Sequence, residues 1–280
     1  MLLVLLLIIF RAHGFANTSN VTNRIHICGG TRVTVPWVPL RPLARSAVLM
    51  RMRKAGSSTL CNVLRGWVKI DVVVAEQFAL NMNCLPLASR AVLVTHLREP
   101  LGRHESEYWY KGAGSKSHEN SAERWRRWML PSLRGCKFGA GGYIPNYYTR
   151  RLTARCGACD GSSLSCDRSA ETMEAGACAH RRRLGPNDAR QAIDILAKFD
   201  VVYILELAEQ SARALAAALG LEEADREPFA RAMVRTRITH GSQNTKPTNA
   251  TIPPDVRLKL QHENVWDIQL YDAARRRYAA

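Results

Sequence analysis

The chain has 280 residues, 46% of them hydrophobic, which suffices for a folded core and excludes a chain that is disordered throughout. Its net charge is +16, and arginine outnumbers lysine 32 to 8. Planar guanidinium groups suit phosphate, sulfate and carboxylate ligands, although a compositional bias of the genome would give the same excess. Nucleic acid is not expected as a partner, because the sequence has no zinc-finger spacing, no RNP-type aromatic motif and no basic helix with heptads.

The N-terminus combines an apolar run with a polar, proline-bearing stretch. Residues 1–10, MLLVLLLIIF, are fewer than the about 20 that cross a bilayer, and no basic region precedes them. They are therefore either a signal-peptide core or the lumenal end of a signal anchor, and residues 11–45 are interpreted as a lumenal stem. N-glycosylation sequons at Asn17, Asn20 and Asn249 agree with entry into the secretory pathway.

Eight cysteines, an even number, favour a protein with disulfides in an oxidising compartment. Four of them lie in residues 156–180, part of a stretch that is poor in apolar residues and is interpreted as an inserted loop. A disulfide-stapled loop is favoured there over a zinc site, because there is one CxxC pair and the spacing to the next cysteines is irregular. Cys61, inside a predicted helix, is expected to be a buried thiol.

From residue 46 onward, strands and helices alternate along the chain. Short apolar runs predict the strands, and amphipathic or capped segments predict the helices. The predicted strands are Ala47–Met52, Ile70–Ala75, Ala91–Leu97 and Val201–Leu205. The predicted helices are Ser58–Trp67, Leu101–Tyr110, Ser121–Met129, Asn187–Lys198, Ala208–Leu219, Glu223–Val234, Pro254–His262 and Val265–Tyr278. This alternation predicts one α/β domain over 46–280, with a P-loop-like parallel sheet and helices on both faces.

A phosphate-binding loop is predicted directly after the first strand, in Lys54, Ala55, Gly56, Ser57, Ser58 and Thr59. Glycine lets the backbone approach a ligand closely, and the N–H groups that open the next helix favour an anion. A nucleotide-triphosphate loop needs GxxxxGK[ST], which the chain lacks, and no acidic run on a later strand offers a magnesium site. The loop is therefore predicted to bind a monophosphate-like group without a metal. An ordinary capped strand–turn–helix is the alternative.

A second anion-binding pattern, LREPLGRHESEYWY, begins at the end of the third strand. Arg98 closes the strand, and Ser106 stands eight residues later on the following helix. Ligands of open α/β sheets bind at the carboxyl ends of strands, so these two side chains can hold one phosphate from two sides. A charged helix face is the alternative, and His104 is expected on the helix surface.

Together the two motifs resemble the signature with which sulfotransferases bind PAPS (3′-phosphoadenosine 5′-phosphosulfate), K-[TA]-[GA]-S-S-T followed by L-R-[DE]-P-x5-S. Within that superfamily the chain is most similar to the Golgi galactose-3-O-sulfotransferases, which include the galactosylceramide enzyme. Their motifs run like HKTGSSTVxNIL and LREPxxxFESxFxYY, where this chain has RKAGSSTLCNVL and LREPLGRHESEYWY. The resemblance continues in KFDVVYILELAEQSARAL and in VWDIQLYDAARRRY, near the C-terminus.

The resemblance implies a sulfotransferase fold and transfer of sulfate from PAPS to a sugar hydroxyl of a glycolipid or glycan, with the galactose 3-hydroxyl as the expected position. The residues Lys54 to Thr59 would bind the 5′-phosphosulfate, and Lys54 would also stabilise charge on the leaving phosphate. Arg98 and Ser106 would bind the 3′-phosphate. The family also implies a single-pass type II protein of the Golgi membrane, with its catalytic domain in the lumen and no metal.

The general base is where the chain departs from this family. The galactose enzymes carry a histidine in NIICNHMRF at the end of the second strand, and this chain has DVVVAEQFAL there. Glu76 stands nearest to that histidine and is the first candidate base, since a buried carboxyl beside an anionic ligand should have a raised pKa. The alternative for Glu76 is an ion pair with an arginine. His96 is the second candidate base.

Three other functions stay open. One is a sulfotransferase for a glycosaminoglycan or another glycan, and the second is a catalytically inactive, lumenal glycan-binding protein, which the absent histidine makes conceivable. The third is a nucleotide kinase, which the missing Walker lysine disfavours. Turnover of PAPS separates the sulfotransferases from the other two.

Overall fold

The computed structural model describes residues 46–52, 54–66, 71–75, 91–110, 122–130, 143–153, 183–240 and 251–278. Several predictions concern residues outside this part of the chain: the segments 1–10 and 11–45, the three sequons, Glu76 and the cysteine-rich insertion 156–180. Among the helices that the structure describes, none is long and apolar enough to cross a membrane.

A parallel sheet of four strands forms the centre of the described structure. The strands are β1 (Ser46–Met50), β2 (Asp71–Ala75), β3 (Val92–Leu97) and β4 (Val201–Ile204). Their order is β2-β1-β3-β4, and every neighbouring pair is parallel. Each strand contains at least three consecutive apolar or aromatic residues, as expected for parallel strands that are covered on both faces. The predicted α/β class with a parallel sheet is confirmed.

Helices precede and follow the strands along the chain. They are α1 (Ser57–Gly66), α2 (Pro100–Tyr110), α3 (Ala122–Met129), α4 (Tyr147–Leu152), α5 (Pro186–Leu196), α6 (Ala208–Ala218), α7 (Glu223–His240), α8 (Pro254–Glu263) and α9 (Val265–Arg276). A 3-10 turn, Leu205–Leu207, joins β4 to α6. The eight predicted helices are confirmed with small shifts at their ends, except that α7 continues six residues beyond the predicted end.

The two faces of the sheet are covered by separate groups of helices. Successive residues of a strand point to opposite faces, and β1 shows this clearly. Ala47 and Leu49 belong to a buried cluster with α1, α6 and α7. Val48 and Met50 belong to another cluster, with α4, α5 and α9. Helices therefore lie on both faces, in agreement with the sequence pattern.

The helix α4 was not predicted, because its N-terminus is capped from far along the chain. The Asp267 carboxylate on α9 accepts hydrogen bonds from the N–H groups of Tyr148 and Thr149, at 2.9 and 2.8 Å. In return, the side-chain oxygen of Asn146 accepts hydrogen bonds from the N–H groups of Trp266 and Asp267, at 2.9 and 3.1 Å. This reciprocal capping fixes α4 and α9 to each other.

A third buried cluster joins α2, α3 and α8, and it corrects the expectation for His104. The rings of Tyr108 and Trp125 stack there with their centroids 3.8 Å apart. His104 is fully buried in the same region, and its Nε2–H donates to Asn264 Oδ1 at 2.8 Å. Burial holds the pKa of His104 well below its usual range. The expectation of a surface position was wrong, because the segments that cover this face of α2 are distant in sequence.

The structure also corrects the expectation for Cys61. The residue is buried on α1, as expected, but it takes part in a disulfide and is not a thiol. Cys61 is the one cysteine within the described ranges, so its partner lies in the remainder of the chain. Helical pattern alone could predict the burial of this sulfur and could not predict its pairing.

Candidate anion-binding site

The two predicted anion-binding motifs meet at one point of the sheet. β1 and β3 are neighbours, with Met50 opposite Thr95. The chain runs from β1 to β2 on one side and then crosses to β3 on the other, so the direction of the strand order reverses between β1 and β3. Open α/β sheets bind ligands in the crevice at the carboxyl ends of strands at such a switch point. Residues 54–59 and Arg98 therefore leave the sheet side by side at this crevice.

Two of the described residues between β1 and α1 have a left-handed backbone. Gly56 has φ 88°, which glycine adopts readily, and Lys54 has φ 60°, which is sterically unfavourable for a residue with a side chain. The carbonyl of Gly56 accepts the N–H of Leu60 at 3.3 Å, and α1 starts there. Ser57 and Ser58 open this helix. Ala55 is buried, and Thr59 is partly exposed.

His96 connects this loop to β3. Its Nε2 accepts the N–H of Met52 at 3.0 Å, and its Nδ1–H donates to the carbonyl of Ala55 at 3.1 Å. Burial, with a smaller contribution from the charge of Arg51, lowers the pKa of His96 to about 3. The imidazole is therefore neutral near neutral pH. Both ring nitrogens bind backbone groups, so the predicted role as a base would require one of these bonds to break.

Lys54 lies over the last residue of α2. Its Nζ is 3.5 Å from the ring centroid of Tyr110, within the range of a cation–π interaction. Ser106 precedes Tyr110 by one helical turn, so the two residues lie on the same side of α2. The contact therefore brings Lys54, from the first motif, to the helix that carries Ser106, from the second.

Arg98 lies over the first turn of α2. A Cβ built on Gly102 would lie 3.3 Å from Arg98 Nε, so a side chain at that position would crowd the guanidinium. The hydroxyl of Tyr148 lies 3.1 Å from both the backbone nitrogen and the carbonyl oxygen of Arg98. The side chain of Arg98 is 26% exposed, and its Nε is 4.0 Å from Glu206 Oε1. The backbone is thus fixed by a buried tyrosine, while the guanidinium keeps access to solvent.

Two residues of this site were missed by the sequence analysis, Glu206 and Tyr148. Glu206 accepts the N–H of Glu99 at 3.1 Å and the hydroxyl of Tyr271 at 2.8 Å. It stands just after β4, so its position at a strand end was the same signal that indicated Arg98. Tyr148 lies on the unpredicted helix α4, and no local pattern indicates its contact with Arg98.

Protein-family models, curated proteins and solved structures give no match to this chain. The basis for a function is therefore the chemistry of the crevice itself. Lys54 and the N-terminus of α1 follow β1, and the partly exposed Arg98 follows the neighbouring strand β3, with Glu206 Oε1 4.0 Å from its Nε. Ammonium and guanidinium groups and a helix N-terminus suit anions. The described residues contain no group of three or more His, Cys, Asp or Glu that could hold a metal ion. The cysteines of 156–180 and the candidate base Glu76 lie outside that part, so the predictions for them remain predictions.

Alanine at Gly56 is expected to lower the free energy of unfolding by roughly 1–2 kcal/mol, because a left-handed backbone is unfavourable for a residue with a Cβ. The new Cβ would also lie 2.8 Å from Leu205 Cδ1. Urea unfolding of Gly56→Ala measures the loss. Gly185→Ala is the control at an extended backbone, where a Cβ meets nothing within 4 Å. Gly185 is the N-cap of α5, so alanine should cost less than about 1 kcal/mol there. Equal losses in the two variants would contradict the strain at Gly56.

Proposed function

We propose that the chain is a PAPS-dependent sulfotransferase with the sulfotransferase fold, related to the galactose-3-O-sulfotransferases. It transfers sulfate to a sugar hydroxyl of a glycolipid or glycan, with the 3-hydroxyl of galactose as the expected acceptor group. The observation that carries this proposal is the convergence of the two anion-binding motifs at the crevice between β1 and β3.

The loop after β1 suits a 5′-phosphosulfate better than a nucleoside triphosphate. Gly56 is followed by a serine, whereas a triphosphate loop has a lysine after its last glycine to reach the β- and γ-phosphates. Here the lysine comes before the glycine, and its ammonium group lies over the end of α2. The N-terminus of α1 adds the partial positive charge of the helix dipole. Lys54 and the N–H groups at this N-terminus are the proposed ligands of the 5′-phosphosulfate.

The residues after β3 suit the second phosphate of the same nucleotide. Adjacent strands lie about 5 Å apart, so Arg98 is one strand away from the loop after β1. PAPS carries its 3′-phosphate and its 5′-phosphosulfate on one ribose, and two anion sites on adjacent strands match that spacing. A partly exposed arginine and Ser106 on α2 are the proposed ligands of the 3′-phosphate.

In the proposed reaction the acceptor hydroxyl attacks sulfur in line with the bond to the 5′-phosphate. A new S–O bond forms, the old S–O bond breaks, and the hydroxyl proton passes to a base. Lys54 stabilises the charge that develops on the leaving phosphate oxygen. Glu76 is the proposed base, since it directly follows β2, which ends at the same edge of the sheet as β1.

The disulfide of Cys61 supports a site of action in the secretory pathway, because structural disulfides persist in oxidising compartments. With the apolar N-terminal segment, it supports a type II protein of the Golgi membrane whose catalytic domain faces the lumen. The proposed partner is a galactose-containing glycolipid or glycan, and no nucleic acid is proposed.

Nucleotide preference tests the two anion sites. Wild type should bind 3′-phosphoadenosine 5′-phosphate more tightly than 5′-AMP or ATP, measured by calorimetry without added metal. Arg98→Ala should weaken binding of the 3′-phosphorylated nucleotide about 10- to 100-fold, because it removes a charge-assisted contact, and should leave 5′-AMP unchanged. Arg257→Ala, at an exposed arginine on α8, is the matched control. Tighter binding of ATP by wild type would contradict the proposal and favour a kinase.

Transfer of labelled sulfate from PAPS then tests the acceptor. The panel contains galactosylceramide, lactose-type oligosaccharides and desulfated glycosaminoglycans, and we expect transfer to the galactose acceptors. Transfer to glycosaminoglycans alone would favour the alternative sulfotransferase. Binding of the nucleotide without transfer to any acceptor would favour an inactive glycan-binding protein.

A further inference from the structure

His96 binds the backbone between β1 and α1 on both sides of Lys54. On one side its Nε2 accepts the N–H of Met52, and on the other its Nδ1–H donates to the carbonyl of Ala55. A single side chain thus bridges a four-residue stretch of backbone. Lys54, inside this stretch, has a left-handed backbone with φ 60°.

A lysine has no intrinsic reason to adopt this conformation. Its Cβ makes the left-handed region unfavourable, and a lysine side chain lacks the short amide or carboxylate with which Asn and Asp stabilise it. Such a residue stays left-handed where the surrounding structure holds it there. Lys54 is partly exposed, whereas both hydrogen bonds of His96 are buried and lie directly beside it.

His96 itself is firmly placed. It is fully buried on β3, the strand next to β1. The preceding residue, Thr95, donates its hydroxyl proton to the carbonyl of Met50 at 3.2 Å, which adds a side-chain contact between the two strands just before the loop. The position of the imidazole is therefore fixed, and its two hydrogen bonds can restrain the loop between β1 and α1.

We propose that His96 is a positioning residue that holds Lys54 in its left-handed conformation and so directs the ammonium group toward the end of α2, where it lies over the ring of Tyr110. Nε2 accepts a hydrogen bond and Nδ1 donates one, so the imidazole must be neutral with its proton on Nδ1. Burial and the nearby charge of Arg51 keep the ring neutral. The effect on PAPS binding rests on the proposed function, whereas the effect on the backbone does not.

A double-mutant cycle on the ligand-free chain tests the backbone effect. Lys54→Gly and Lys54→Ala both remove the amine, but only glycine tolerates a positive φ without strain. With His96 present, the unfolding equilibrium constant of Lys54→Gly should be about fivefold smaller than that of Lys54→Ala. In a His96→Asn background the loop is released, so the difference should shrink to less than about twofold. The same difference in both backgrounds would overturn the proposal.

Two further measurements use wild-type protein, in case His96→Asn folds poorly. The ¹⁵N shifts of the His96 ring should show a neutral imidazole with its proton on Nδ1, and a proton on Nε2 would overturn the proposal. Binding of 3′-phosphoadenosine 5′-phosphate should shift the Nδ1 signal, because its acceptor belongs to the loop. A bound nucleotide that leaves this signal unmoved would contradict the link to the ligand. If wild type binds none of this nucleotide, the proposed function fails while the cycle still decides the role of His96.

Discussion

Replacing Lys54 with alanine should lower the turnover number for sulfate transfer by about 10²–10³-fold, the usual loss when one group that stabilises a developing charge is removed. In the proposed reaction the S–O bond to the 5′-phosphate breaks in the transition state, so negative charge grows on the bridging oxygen at that moment. An ammonium group that interacts more strongly with this charge than with ground-state PAPS raises the turnover number. Steady-state kinetics at saturating PAPS and acceptor measure this loss.

Two further variants test whether the loss of turnover is specific to the ammonium group of Lys54. Lys198→Ala removes an exposed lysine just beyond the end of α5 and should leave the turnover number unchanged. Lys54→Arg keeps a positive charge but replaces a compact ammonium with a planar fork, so it should recover part of the activity. Turnover by Lys54→Ala within a few-fold of wild type would contradict the assigned role, provided that the variant folds and binds nucleotide.

The strands were predictable because each depends on local sequence. A parallel strand that is covered on both faces carries a run of consecutive apolar residues, and VVVA in β2 and VLV in β3 are such runs. Their order in the sheet was not predicted, since pairing joins residues such as Met50 and Thr95, which are distant in the chain. The position of the crevice between β1 and β3 depends on that order, so it could not be predicted from the sequence alone.

The residues of the candidate site likewise fall into a group that the sequence could predict and a group that it could not. Lys54, Gly56 and Arg98 could be found from sequence, because a loop after a strand carries its ligand-binding groups in adjacent residues. The surroundings of these residues come from other segments. Tyr148 contacts Arg98 from a helix that is capped by Asp267, 119 residues further along the chain. No local sequence pattern predicts such a contact.

The two histidines His96 and His104 show most clearly that local sequence does not predict the surroundings of a side chain. His96 was a candidate base because of its residue type and its place near a strand end. The structure instead engages both of its nitrogens with the backbone of a loop more than 40 residues earlier in sequence. His104, on an amphipathic helix, was expected at the surface and is buried against Asn264. In both cases burial keeps the ring neutral and the hydrogen-bond partners decide which nitrogen carries the proton, and the segments that supply both are distant in sequence.

Acidification should destabilise the protein through His96, by about 2 kcal/mol between pH 7 and pH 5. The pKa of this residue falls from 6.5 to about 3 on folding, so between these values the unfolded chain binds a proton that the folded chain does not. The contribution of the neutral ring to stability is complete above pH 6.5 and is lost progressively as the pH falls toward 3. Urea unfolding at several pH values measures the dependence.

Substitution shows how much of this pH dependence belongs to His96. His96→Asn should be less stable than wild type at pH 7. Its free energy of unfolding should also fall less steeply with acidification, and near pH 5 the two slopes should differ by about 1.4 kcal/mol per pH unit. His104 keeps a slope of the same sign, because its pKa is also lowered by burial. His262→Asn, at an exposed histidine on α8, is the matched control for the substitution itself. An unchanged slope in His96→Asn would mean that the folded protein accepts a proton on this ring, and the bond from Met52 N–H to Nε2 could not then be permanent.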